Sequence, residues 1–288
     1  MATSQTTAQP SNAKSAIYAR AVYSDQRESG PSVDESVAAL RHLLRIWHAR
    51  DGEVQLPLLH GTSLPAAAIH VQAEHSVELT ESVLALLSAD HYLTTAPLIR
   101  LTMECAVNAT WWASNPAAVV GSIHNSMVLR KRRADALRGN KPADLAKSQA
   151  LREMMAAYAK HPSIEARVFE KRCEAIVGGA WIYPYYRFLS ESAHGGPNLL
   201  EEYTRQIPMS ARDPLGFSLI QRPQYKHLDI ALGLQVMMLT LAIGAWDSLS
   251  QDYGAASEIP AFADQLGFGE FIAQATGISA EPQVERDL

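Results

Sequence analysis

An all-α fold, a multi-helix bundle of antiparallel helices, is predicted by three observations. Apolar residues recur at helical spacing through most of the 288 residues. No stretch alternates with period two between turn residues, as a strand would. Proline, Gly-Gly and Asn-Pro fall between the periodic stretches, where helices stop, rather than inside them.

Each element can be justified in order. Residues 1–30 are rich in Ser, Thr, Ala, Gln and Asn, and bury too little to offset the entropy of ordering, which predicts a disordered tail. Its start, Met1–Gln9, is neutral and polar and lacks the pattern of a secretory signal. Ser32-Val-Asp-Glu35 is a capping-box signature, opening a helix over 33–49 with Val33, Val37, Leu40, Leu44 and Trp47 inward. Pro57, Gly61 and Pro65 predict a loop over 51–68. The second helix spans 69–89, with Ile69, Ala73, Val77, Val83, Leu84 and Leu87 on its core face. A third opens at Thr95-Ala-Pro97 and runs to Ser114, where Asn115-Pro116 ends it. A fourth covers 117–138, a fifth 142–160 and a sixth 163–177, stopped by Gly139-Asn140, His161-Pro162 and Gly178-Gly179. A helix over 184–194 and a short one over 199–205 follow, then an irregular connection marked by Pro208, Pro214, Gly216 and Pro223. A long helix over 224–252 completes the core, with a weaker helical segment over 259–275. The organisation is a tail at 1–30, one bundle domain at 31–255, and a C-terminal helical segment with a polar end at 256–288.

Composition excludes several classes. The net charge of −5 gives no global attraction to nucleic acid, so such binding needs a local basic patch. Cys105 and Cys173 are far apart and in no Cys-x-x-Cys pair, which predicts reduced thiols in a cytoplasmic protein and excludes a thiolate zinc site. Ile230–Trp246 carries no charge and approaches the length of a membrane span. Gln235, Thr240 and the bracketing Asp229 and Asp247 favour a buried core helix without a membrane. Walker, dinucleotide-fold, Gly-x-Ser-x-Gly and His-Glu-x-x-His signatures are all missing.

Chemistry concentrates in two blocks. Within Tyr183–Pro197, Tyr186, Ser190 and His194 fall at i, i+4 and i+8, with Arg187 and Glu191 beside them. The third helix is apolar nearly all round, except for Arg100, Glu104 and Asn108, which also fall at i, i+4 and i+8. Arg100 and Glu104 can pair along the helix, with Asn108 at a solvent-facing rim. Alternatively the stripe faces Tyr186, Ser190 and His194 across a cleft, with Glu104 orienting His194 for proton transfer. The basic run Arg130, Lys131, Arg132 and Arg133 is the strongest charge cluster, able to serve as a solvated face or as phosphate contacts. Glu191-x2-His194 has a metal-ligand spacing, but a di-metal bundle needs a second copy, which is missing. His70 with Glu74, and His75 with Glu78, have ligand spacings as well. No cofactor or metal is expected.

Arg187-x6-His194 is similar to the Arg-x(4–6)-His motif of the HEPN superfamily, helical bundles that include RNA-cleaving toxins and defence proteins. That resemblance implies metal-independent RNA cleavage, with His194 as general acid or base, Arg187 on the scissile phosphate, and a homodimer uniting two motifs. Arg100, Glu104 and Ser190 would position them, and Tyr186 would add a hydrogen bond. Leu98-Ile-Arg100-x3-Glu104, together with Tyr186-x2-Leu189-Ser190-x3-His194-Gly195 and a final apolar helix, also resembles an uncharacterised family of bacterial helical proteins across about 80–250. That resemblance implies the fold and no reaction. A non-catalytic binding or regulatory protein, with Arg100, Glu104, Tyr186, Ser190 and His194 as a structural network, fits the same residues. The exposure of His194 discriminates the two.

Overall fold

The computed structural model describes residues 31–50, 54–137, 164–194, 196, 198–209, 216–249 and 257–278. The expected tail at 1–30, the fifth helix at 142–160 and the polar end beyond 278 lie outside the described residues. The fold is all-α. In chain order come α1 (Val33–His48), α2 (Leu64–Ser88), α3 (Thr95–Ser114), α4 (Ala118–Leu137), α5 (Phe169–Ala175), a 3-10 turn (Gly179–Trp181), α6 (Ile182–Ala193) and α7 (Asn198–Tyr203). After β1 (Thr204–Gln206) and β2 (Phe217–Leu219) come α8 (Leu228–Asp247), α9 (Ile259–Gln265) and α10 (Gly269–Thr276).

The capping box forms as its sequence dictates: the Ser32 hydroxyl accepts from the Glu35 N–H at 3.2 Å, and the Glu35 carboxylate accepts from the Ser32 N–H at 2.9 Å. Other boundaries differ from expectation. α2 begins at Leu64, inside the predicted loop, because Pro65 sits in the first turn, where its missing N–H has no partner to lose. The helix expected over 163–177 shortens to α5. Two glycines then close its end. Gly178 takes φ +72°, and a Cβ on Gly179 would lie 2.6 Å from the Cys173 carbonyl oxygen.

The irregular connection holds an antiparallel pair of three-residue strands, with Thr204 opposite Leu219 and Gln206 opposite Phe217. Three residues are too few for period-two alternation to register in the sequence. The C-terminal segment splits into α9 and α10 at Gly267, whose φ of +83° suits glycine. Both helices pack on α8, with Ile259 and Ile272 beside Gly244.

α8 is the axis of the core. Its apolar window has a mean hydropathy of 1.8, long and apolar enough to cross a membrane, yet 78% of that window is buried inside the protein. α1, α2, α3, α9 and α10 supply that cover. Cys105 and Cys173 are free and buried, and burial pushes both thiols up to about 12.

A glutamine, Gln235, stands fully buried in the core. The Gln235 amide donates to the Thr80 hydroxyl at 2.6 Å and the Thr102 hydroxyl at 3.2 Å, joining α8 to α2 and α3. Both hydroxyls donate to carbonyls of their own helices, Thr80 to Ser76 and Thr102 to Leu98. The Gln235 carbonyl oxygen is buried with no partner. Replacing Gln235 by methionine removes that orphan and leaves both threonines satisfied. We expect stability unchanged or raised by about 1 kcal/mol. Gln235→Glu is expected to lose several kcal/mol, because it places a charge in the dry core. Urea unfolding of the two variants checks this; a loss above about 2 kcal/mol for methionine would mean that the bridge itself holds the three helices.

Candidate functional site

α6 has two faces. Ile182 and Leu189, seven residues apart, are fully buried, and Tyr186 between them points the same way, half-buried. Pro184, Arg187, Glu191 and His194 are exposed on the other side. The polar groups of the signature block are therefore divided between an inner and an outer face.

On the inner face Tyr186 meets Arg100 and Glu104 of α3. Arg100 Nη2 donates to the Tyr186 phenol oxygen, the phenol donates to Glu104 Oε1 at 2.8 Å, and Arg100 Nη2 lies 3.3 Å from the same carboxylate oxygen. The guanidinium also lies 4.5 Å from the centre of the Tyr186 ring. Burial raises the phenol pKa, reinforced by the Glu104 carboxylate and opposed by Arg100, so Tyr186 stays protonated and donates. The result is a half-buried triangle in which the phenol and the carboxylate are both engaged, while the Arg100 Nε is left without a hydrogen-bond partner.

Sequence spacing thus finds Arg100, Glu104 and Tyr186 as one cluster, but two expected members stand elsewhere. No hydrogen bond joins Glu104 to His194 among the described residues; the carboxylate is taken by Tyr186 and Arg100. His194 is the C-cap of α6, exposed, with its backbone N–H on the Ser190 carbonyl at 3.2 Å. Its extended backbone (φ −105°, ψ 142°) ends the helical stripe that would have carried it inward. The Ser190 hydroxyl donates to the Tyr186 carbonyl at 2.7 Å, the usual i−4 bond of a serine within a helix. Asn108 does not stand at a solvent-facing rim: its amide donates to Gln72 of α2 at 3.4 Å and its oxygen is buried.

Arg130, Arg132 and Arg133 are exposed on α4; the Lys131 side chain lies outside the described set. α4 packs on α2, whereas α6 packs on α3, so the basic run and the signature helix rest on different supports.

Two groups of residues escaped sequence reading. Phe169 and Arg172 of α5 adjoin the triangle. The Phe169 and Tyr186 ring centres are 4.3 Å apart, and the Arg172 guanidinium lies 5.4 Å from the Phe169 ring centre. Their i, i+3 spacing on one helix was the available signal. The second group joins α1, α2 and α8. Arg50 Nη2 lies 2.7 Å from Asp247 Oδ1 and its guanidinium 4.4 Å from the Trp47 ring. Ser257 donates to Asp247 Oδ2 at 2.7 Å. Trp47 donates to Glu74 at 3.0 Å, and His70 lies between Trp47 and Trp246, with ring centres 5.7 and 4.8 Å away.

Among the described residues no group of three or more His, Cys, Asp or Glu side chains could hold a metal ion. Glu74, one of the spaced candidates, is engaged by Trp47, and burial lowers the pKa of His70. His75 and Glu78 form an exposed 3.2 Å contact within one helix.

Residues 67–206, from α2 through β1, match a family of unknown function (DUF5677). The matched segment contains both polar blocks, in keeping with the resemblance to an uncharacterised family. It begins earlier and ends earlier than expected, leaving α8 outside. No curated protein and no solved structure matches the chain.

Proposed function

We propose that this chain is a HEPN-like, metal-independent ribonuclease of the toxin or defence type, acting on RNA in the cytoplasm as a homodimer. The observation that carries this reading is the outer face of α6. Arg187 on that face and His194 at the C-cap of the helix are both exposed, where a polynucleotide could reach them. The inner triangle of Arg100, Glu104 and Tyr186, together with Ser190, positions the helix without touching substrate. Neutral His194 takes the proton from a ribose 2′-hydroxyl, whose oxygen attacks the adjacent phosphorus. The 5′-oxygen leaves, protonated by the imidazolium that a second copy brings, and a 2′,3′-cyclic phosphate remains. Arg187 neutralises the charge growing on the phosphate oxygens. The exposed Arg130, Arg132 and Arg133 of α4 add non-specific phosphate contacts.

A second reading, a non-catalytic binding or regulatory protein, is favoured by the inner triangle, whose phenol and carboxylate are already taken by protein partners. One experiment separates them. Wild type and His194→Ala are incubated with labelled total RNA in EDTA, with circular dichroism reporting the fold. Cleavage by wild type, reduced at least about 100-fold in the variant, is the expected result. Intact RNA with folded wild-type protein overturns the nuclease and leaves the binding module.

A further inference from the structure

Among the described residues, the corner where α3, α5 and α6 meet carries more positive charge than its protein partners neutralise. Arg100 and Arg172 contribute two guanidinium groups, and Glu104, the carboxylate of the inner triangle, is already engaged by Arg100 and Tyr186. Among the described residues no carboxylate lies within ion-pair distance of Arg172.

The way Arg172 is held is specific. Its Nη1 donates to the carbonyls of Glu165 and Ala166, both at 3.4 Å, and the guanidinium lies against the Phe169 ring. Nη1 is thereby used up, and the group is fixed in place. The opposite edge, Nε with Nη2, is the fork that grips a carboxylate or phosphate through two parallel hydrogen bonds. On that edge the Nε is buried and has no hydrogen-bond partner. The Arg100 Nε is likewise buried and unpartnered. A desolvated guanidinium without a counter-ion is costly, and burial pushes the Arg172 pKa down, with Cys173, Glu104 and Tyr186 pulling it back. Phe169 and Tyr186 pack ring against ring, with Arg172 against the first and Arg100 against the second.

The geometry points to an oxyanion-binding site at this corner, in which the free Nε–Nη2 edge of Arg172 grips a phosphate-type oxyanion. Two oxygens of one phosphate satisfy the fork, and its charge supplies the counter-ion that Arg172 lacks among the described residues. The site lies on the inner side of α6, apart from Arg187 and His194, and stands whether or not the chain cleaves RNA. The phosphate can belong to a free phosphoryl ligand or to an RNA backbone.

Isothermal titration of the full chain with inorganic phosphate and pyrophosphate tests the site, alongside the arginine Nε–H resonances of the 15N-labelled protein. Binding is expected to shift one or two of those resonances. It should weaken about tenfold in Arg172→Lys, which keeps the charge but loses the fork. A single-stranded RNA oligonucleotide without terminal phosphate identifies the source. Loss of its affinity in Arg172→Lys assigns the site to backbone phosphate, and unchanged affinity assigns it to a free ligand. The proposal is overturned if neither phosphate nor pyrophosphate shifts any arginine Nε–H signal at millimolar concentration, or if folded Arg172→Lys binds as wild type does. Should that variant fail to fold, the wild-type resonances alone decide.

Discussion

Arg50→Met is expected to destabilise the protein by about 3 kcal/mol above neutral pH, and by progressively less as the pH falls below 6. The reason is the position of Asp247, the last residue of α8, whose side chain is 1% exposed while that of Arg50 is 12% exposed. Methionine fills the space along Trp47 but leaves the buried carboxylate, among the described residues, with only the Ser257 hydroxyl. Such a carboxyl can then only stay ionised at high cost or take up a proton. Once protonated it needs no cation, so the loss shrinks in acid. Urea unfolding of wild type and Arg50→Met across this range checks the expectation. A loss that does not vary with pH would show that Arg50 acts by packing alone.

The wild-type protein carries the same signature more weakly. Burial raises Asp247 from its ordinary value to about 6, against the pull of Arg50 and Ser257. A carboxyl with a raised folded-state pKa binds its proton more tightly in the native state. Its contribution is therefore fully present below the unfolded pKa of about 4 and is lost as the pH rises through about 6. A shift of this size corresponds to about 3 kcal/mol. The difference between wild type and Asp247→Asn isolates it, since every other group titrates alike in both. The stability of wild type relative to the variant should fall as the pH rises from about 4 to 7 and then level off.

These residues also show what a sequence can and cannot disclose. The capping box at Ser32 and the buried character of α8 were legible because each depends on neighbours within a few positions or on a sustained apolar run. Arg100 and Glu104 were legible for the same reason, one helical turn apart. Asp247 was visible only as the charged edge of an apolar stretch, because its partner Arg50 lies just past the end of α1 and pairs with it only after the bundle closes. Phe169 and Arg172 were hidden for a related reason: their spacing is ordinary, and only the approach of Tyr186 gives it meaning. Pro65 misled because a proline reads alike in a loop and in a first helical turn. His194 continues the Tyr186–Ser190 stripe on paper. The chain leaves helical geometry at that residue, which no periodicity can register.

Glu104→Ala is expected to lose about 2–3 kcal/mol, the second of the large effects. Removing the carboxylate strips the Tyr186 phenol of its acceptor at 2.8 Å and the Arg100 guanidinium of its counter-ion, and leaves two cations at one half-buried corner. Glu104→Gln keeps an acceptor for the phenol and should lose about 1 kcal/mol. A double-mutant cycle with Tyr186→Phe is expected to show a coupling of about 1 kcal/mol, because each removes the same hydrogen bond. His194→Ala, on the exposed face, should stay within about 0.5 kcal/mol of wild type. This contrast follows from the division of α6 into an inner face that holds the helix and an outer face free to meet a ligand. Equal losses for Glu104→Ala and His194→Ala would mean that His194 belongs to the supporting network. The reaction proposed for it would then lose the residue on which it depends.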